Sequence, residues 1–134
     1  MTDDKSHKTV LVVEDGLDMR FFLKTLLETS GYRPIIAKNG SDGMAKAKEN
    51  TPDLILLDVM MPEQGGAIMY RDLKSDLLLA QIPVIILSAV SQSTFEHYLK
   101  MLDLSSADKV PGPDAYVEKP PDPRNLLRII QMFV

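Results

Sequence analysis

Four short apolar runs, each closed by a residue able to handle phosphate or a metal ion, constrain this chain more than any other feature. They are Val10 to Val13 before Glu14 and Asp15, Leu54 to Leu57 before Asp58, Val84 to Leu87 before Ser88, and the shorter Ala115 to Glu118 before Lys119. Uninterrupted runs of this kind suit parallel strands buried on both faces better than half-exposed antiparallel ones. In an open parallel α/β sheet the carboxyl ends of the strands share one edge. Three carboxylates, a hydroxyl and an ammonium can therefore converge in one cleft.

Helical periodicity fills the intervals between the runs, so the chain reads as alternating strands and helices. Met19, Phe22, Leu23, Leu26 and Leu27 keep one-face spacing, with Asp18 a candidate N-cap and Gly31 a candidate stop. Ile35-Ile36-Ala37 forms a second short strand, and Asn39-Gly40 a turn before a weaker helix around Met44, Ala45 and Ala47. A third helix is expected over Ala67 to Leu79, and a fourth carries Phe95, Tyr98, Leu99 and Leu102. Asp122-Pro123 reads as N-cap and first position of a fifth helix, whose stripe is Leu126, Ile129, Ile130 and Phe133. Residues 1–8 are expected to be a loose polar tail and residues 9–134 one domain.

Composition narrows the classes of function. With 134 residues, 45% of them hydrophobic, one core is expected. The absence of cysteine removes disulfides and thiolate metal sites, so any metal must be held by oxygen or His. A net charge of -4 argues against direct nucleic-acid contact or a grip on anionic membrane. The amino terminus has no signal-peptide core, and no stretch approaches the ~18 apolar residues of a membrane span. A cytoplasmic protein is expected.

Glu14, Asp15 and Asp58 match the oxygen ligands that magnesium prefers, and without a cation their mutual repulsion would raise at least one pKa. Lys119 offers a compact positive charge for phosphate oxygens, and Ser88 a hydroxyl donor. An aspartate carboxylate can also act as a nucleophile and form an acyl phosphate. Each motif alone has a plainer reading. Asp58 could be a loop or cap residue, Glu14-Asp15 could cap the first helix, Tyr116 could be a half-buried strand residue, and His7 and His97 read as surface residues.

Taken in order, VLVVEDG, PDLILLDVMMP, IPVIILSA and DAYVEKP resemble the receiver domain of two-component response regulators, of the chemotaxis-regulator type, over about residues 9–134. The resemblance implies a flavodoxin-like, doubly wound α/β fold: a five-stranded parallel sheet of order 2-1-3-4-5 with five helices, an order for which a member of this family is a standing example. It makes Asp58 the phosphoacceptor, Glu14 and Asp15 the metal-binding acid pair, Ser88 the switch hydroxyl, Lys119 the phosphate-binding lysine and Tyr116 the switch aromatic. Met60 would lend a backbone carbonyl to Mg²⁺, for which Mn²⁺ could substitute, and Lys119-Pro120 would be a cis peptide.

The implied partners are a sensor histidine kinase or histidine phosphotransfer protein, and a downstream protein target docking on the helix 4-strand 5-helix 5 face. Phosphorylation would draw Ser88 and then Tyr116 inward. The protein would be a switch that catalyses only its own phosphorylation and dephosphorylation. Because the chain ends with the fifth helix, output is expected through a partner, unless this is a fragment of a larger regulator or hybrid kinase. The chain departs from the family between Ser88 and Lys119, where Leu104 to Pro111 is surplus. A phosphorylation-independent adaptor using that loop is one alternative; a magnesium phosphohydrolase is another, disfavoured because Met60 stands where such enzymes carry a second acid. Met60 and Val90 cannot orient a hydrolytic water by hydrogen bonding, so a long-lived phosphorylated state is expected.

Overall fold

The computed structural model describes residues 8–58, 66–102 and 112–134. The elements alternate as β1 (Thr9–Val13), α1 (Leu17–Thr29), β2 (Arg33–Ala37), α2 (Gly40–Asn50), β3 (Leu54–Asp58), α3 (Gly66–Ser75), β4 (Val84–Ser88), α4 (Gln92–Leu102), β5 (Ala115–Glu118) and α5 (Pro123–Gln131). All four strand pairings are parallel, and the sheet order is β2-β1-β3-β4-β5. This is the flavodoxin-like fold that the resemblance implied.

The apolar runs divide residue by residue between two cores, as the two-residue period of a strand requires. Leu11, Val13, Ile55, Leu57, Val84 and Ile86 pack against Ala47, Met69, Tyr70, Leu73, Phe95 and Leu99 from α2, α3 and α4. Val10, Val12, Leu54, Leu56, Ile85 and Leu87 face Leu23, Leu27, Leu126 and Ile130 from α1 and α5. Burying both faces stabilises the three inner strands and holds their carboxyl ends level. No helix among the described residues is long and apolar enough to cross a membrane.

Local chemistry sets the joints. Asp53 accepts the Thr9 N–H at 2.8 Å and donates its own N–H to the Thr9 carbonyl, locking the start of β3 to that of β1. Gly31, at φ 90°, takes the left-handed conformation that ends α1 as anticipated. Asp122 caps α5 by accepting the Asn125 N–H, with Pro123 in the first turn. At Gly43 a Cβ would lie 2.9 Å from Val13 Cγ2 and 2.8 Å from both Met69 Cε and Sδ, so glycine lets α2 close on β1 and α3.

Several boundaries differ from the sequence reading. The N-cap of α1 is Gly16, and Asp18 lies one position into the helix, where its charge meets the dipole instead of capping it. Asn39 is the N-cap of α2 rather than part of a preceding turn; its side chain accepts the Asp42 N–H. The third helix stops at Ser75, short of Leu79, because Asp76 Oδ1 accepts the N–H groups of both Leu78 and Leu79 and Lys74 donates to the Ala80 and Ile82 carbonyls. Met60, Leu104 to Pro111 and residues 1–7 of the expected tail lie outside the described residues. Lys8 is described, and its carbonyl accepts the Arg33 N–H at 2.9 Å.

Candidate functional site

The register places the polar residues along one edge. Val13 pairs with Leu57 and with Ala37, so Glu14 and Asp15 leave β1 level with Asp58 at the end of β3. Asp58 pairs with Leu87, one residue before Ser88, and Ser88 pairs with Glu118, one residue before Lys119. Oxygens of Glu14, Asp15 and Asp58 all lie within 4.8 Å of one another.

Lys119 ties this cluster together across 105 residues of chain: its Nζ donates to Glu14 Oε1 at 2.9 Å and lies 3.0 Å from Asp58 Oδ1. The other Glu14 oxygen accepts the Gly16 N–H at 2.9 Å. A Cβ on Gly16 would come within 3.1 Å of that oxygen, so the glycine after the acid pair clears space for the carboxylate. The Lys119–Pro120 peptide bond is cis, as the resemblance implied.

Burial is uneven, and that unevenness shapes the chemistry. Glu14 is buried, the Asp58 side chain is only 4% exposed, and Asp15 is open to solvent. Burial pushes the Asp58 carboxyl up to about 7; the Glu14 charge adds to the rise while Lys119 opposes it. Burial works against the Lys119 charge, but its contacts with Glu14 and Asp58 outweigh that and hold its pKa above the ordinary value. Apart from its ion pair with Lys119, Asp58 Oδ1 is buried without a hydrogen-bond partner. A buried carboxylate oxygen with spare lone pairs, beside a second exposed carboxylate, fits a hard cation that takes one or two carboxylates and keeps its waters. The donor set therefore suits Mg²⁺.

Ser88 and Tyr116 form an adjoining group. Ser88 is fully buried, and its Oγ accepts the Val90 N–H at 3.1 Å. The Tyr116 hydroxyl donates to the Val90 carbonyl at 2.6 Å and lies 3.1 Å from the Ser91 carbonyl oxygen. Its ring packs on Phe95 at 5.8 Å between centroids, and Phe95 in turn meets Tyr70 edge-on at 5.7 Å. Burial pushes the Tyr116 hydroxyl pKa up, partly offset by a hydrogen bond with Ser88. The Tyr116 hydroxyl is thus turned toward the β4–α4 loop.

The structure also reveals features that the sequence reading passed over. Lys38, Asn39, Gly40 and Gly66 line the cleft beside Val13, Glu14, Asp15 and Asp58. The signal was present in the position of Asn39-Gly40 directly after a strand, since that places the loop on the same carboxyl edge. On α1, which begins two residues after Asp15, Leu17 and Phe21 stand 73% and 71% exposed, one helical turn apart.

Residues 10–131 match the response regulator receiver domain family. The polar-differentiation response regulator DivK of Brucella anthropi is 34% identical over 128 residues, covering 95% of this chain and 96% of that protein. Histidine kinase P4 of Formosa agariphila is 35% identical over 117 residues, 87% of this chain, and the match spans only 8% of the kinase. The structure of the chemotaxis protein CheY4 of Vibrio cholerae superposes with a TM-score of 0.78 at 24% identity, covering 95% of this chain and 98% of that one, a likeness of fold.

Proposed function

This chain belongs to the response regulator receiver domain family of two-component signalling, and on that premise we propose that it is a phosphorylation-controlled switch with Asp58 as phosphoacceptor. The observation that carries the reading is the seat of Lys119, whose ammonium sits between Glu14 and Asp58, with Asp58 lining the cleft. Such a carboxylate can attack phosphorus, and a fixed ammonium beside it can take up charge on the transferring oxygens.

The donor is a sensor histidine kinase or a histidine phosphotransfer protein. As the Asp58 oxygen bonds to phosphorus, the P–N bond to the donor imidazole breaks and the imidazole leaves with the bonding pair, taking a proton as it departs. Bound Mg²⁺, or Mn²⁺ in its place, neutralises phosphoryl charge and favours the ionised form of Asp58. Asp15 and Asp58 would hold the ion, with the Met60 carbonyl as the further ligand that the family resemblance implies, while Glu14 holds Lys119 and adds negative charge. Residues 9–134 form the functional unit, and Leu17 with Phe21 supplies the apolar surface on which the donor docks beside Asp58.

Once phosphorylated, Asp58 presents oxygens that recruit the Ser88 hydroxyl. Ser88 in turn holds the loop bearing the Val90 and Ser91 carbonyls that anchor Tyr116. Because Tyr116 is already anchored, phosphorylation consolidates this arrangement of the α4-β5-α5 face rather than creating it, shifting a population toward partner binding. The downstream partner is a protein; neither nucleic acid nor membrane is contacted, and the setting is the cytoplasm. A second reading, a receiver module within a longer hybrid kinase, is favoured by the match to a small part of the Formosa kinase and uses the same chemistry at Asp58.

Treatment with acetyl phosphate and Mg²⁺, followed by phosphate-affinity electrophoresis, tests the switch. A shifted band abolished by Asp58→Asn supports it, and an unshifted wild-type protein rejects it.

A further inference from the structure

The cleft has a second cation that the chemistry above does not use. Lys38 lines the same cleft as Asp15 and Asp58, at the carboxyl end of β2. Its backbone is fixed on both sides: the preceding Ala37 carbonyl accepts the Glu14 N–H at 3.0 Å, and its own N–H donates to Asp42 Oδ2 at 3.2 Å. Asp42 is in turn held by Asn39, which caps its N–H, and its carboxylate is ion-paired with Lys46 at 3.3 Å. Lys38 itself is exposed, and among the described residues no carboxylate lies within ion-pair distance of its ammonium.

This placement bears on a conflict built into the site. Three carboxylates against Lys119 leave the metal-free cleft negative, which favours a divalent cation; once that ion has cancelled the excess, the phosphoryl dianion that follows meets no net attraction from these groups. A cation whose backbone is anchored at the rim shifts that balance, weakening the first event and strengthening the second by Coulomb interaction. We propose that Lys38 is a specificity-determining cation of the cleft, drawing small anionic phosphodonors of the acyl phosphate class to Asp58 at some cost in Mg²⁺ affinity. The inference rests on the reading of Asp58 as phosphoacceptor. In the reaction concerned, the P–O bond to acetate breaks, a P–O bond to Asp58 forms, and acetate leaves as the carboxylate anion.

The test uses the full chain with Lys38→Gln, Lys38→Glu and Lys38→Arg. At low ionic strength and saturating Mg²⁺, the second-order rate constant with acetyl phosphate is expected to fall about threefold in Lys38→Gln and about tenfold in Lys38→Glu, and to persist in Lys38→Arg. The differences should contract in ~0.5 M salt. In a separate calorimetric titration without phosphodonor, Mg²⁺ should bind Lys38→Glu more tightly than wild type, a change opposite in sign to that of the reaction rate. Equal rates for wild type and Lys38→Glu, or a loss of Mg²⁺ affinity alongside the loss of rate, overturn the assignment while leaving Asp58 as phosphoacceptor. If wild type itself gains no phosphoryl group under saturating Mg²⁺ and acetyl phosphate, the reading of the site fails, and the role of Lys38 fails with it.

Discussion

Lys119 Nζ lies 3.0 Å from Asp58 Oδ1, bringing the loop after β5 onto the end of β3 across the intervening β4. The same ammonium is 2.9 Å from Glu14, so one point charge serves two buried carboxylates. Lys119→Met should slow phosphorylation by acetyl phosphate by about tenfold or more, as loss of a preorganised charge at a transferring group does. Lys119→Arg should not restore the rate, because a planar guanidinium cannot reproduce both short contacts of a compact ammonium. A time course of phosphate-affinity gels measures both.

A pH effect follows from the Asp58 carboxyl, whose pKa rises from 3.8 to about 7 on folding through burial and the Glu14 charge, against the pull of Lys119. A raised folded-state pKa means that the native protein holds its proton where the unfolded chain has released it. The stabilisation is complete below the unfolded value and is lost as pH rises through the folded one. In metal-free buffer the melting temperature should therefore fall between pH 4 and pH 7. Asp58→Asn should flatten the fall and stabilise the apoprotein at pH 8 by on the order of 1 kcal/mol, or roughly 4 °C. Saturating Mg²⁺ should remove the pH dependence in wild type by favouring the carboxylate. Thermal melts across this range, with and without chelator, check all three.

Docking of the donor is a separate matter from chemistry. With Leu17 and Phe21 exposed on α1, the helix that follows the acid pair, Phe21→Glu should slow transfer from a phosphohistidine protein by about tenfold, within the range of interface hot spots. Its rate with acetyl phosphate should match wild type, since the small donor needs no such surface. Parallel assays with the two donors separate these effects.

The lifetime of the signal depends on how water is held near Asp58. Met60 and Val90 offer no side-chain hydrogen bond to a water, and the Val90 backbone is occupied by Ser88 and Tyr116. Met60→Asn should shorten the phosphoryl half-life at least about twofold by supplying a group that can orient the attacking water. A decay measured after removal of donor tests this; an unchanged or longer half-life counts against it.

The sheet and its acidic edge were legible because each buried strand is an unbroken apolar run with its polar residue at one end, as in Leu54 to Asp58. Parallel pairing then puts those ends together without further information. What escaped the sequence depends on contacts between distant segments. The end of α3 is set by Asp76 and Lys74 seizing backbone groups that periodicity assigned to the helix. The inward state of Tyr116 depends on Phe95 of α4 packing against its ring, a relation between residues that no local pattern encodes. Lys38 is indistinct in the sequence because a lysine after a short strand looks like any solvated residue until β2 is seated next to β1.

The central claim is that Asp58, among the carboxylates gathered at this edge, is the one that takes the phosphoryl group. Trapping the acyl phosphate with borohydride after Mg²⁺ and acetyl phosphate treatment, then locating the reduced residue by peptide mass spectrometry, tests it directly. The modification should fall on Asp58 alone and require the metal; a label on Asp15, Asp53 or another carboxylate, or none at all, would contradict the account.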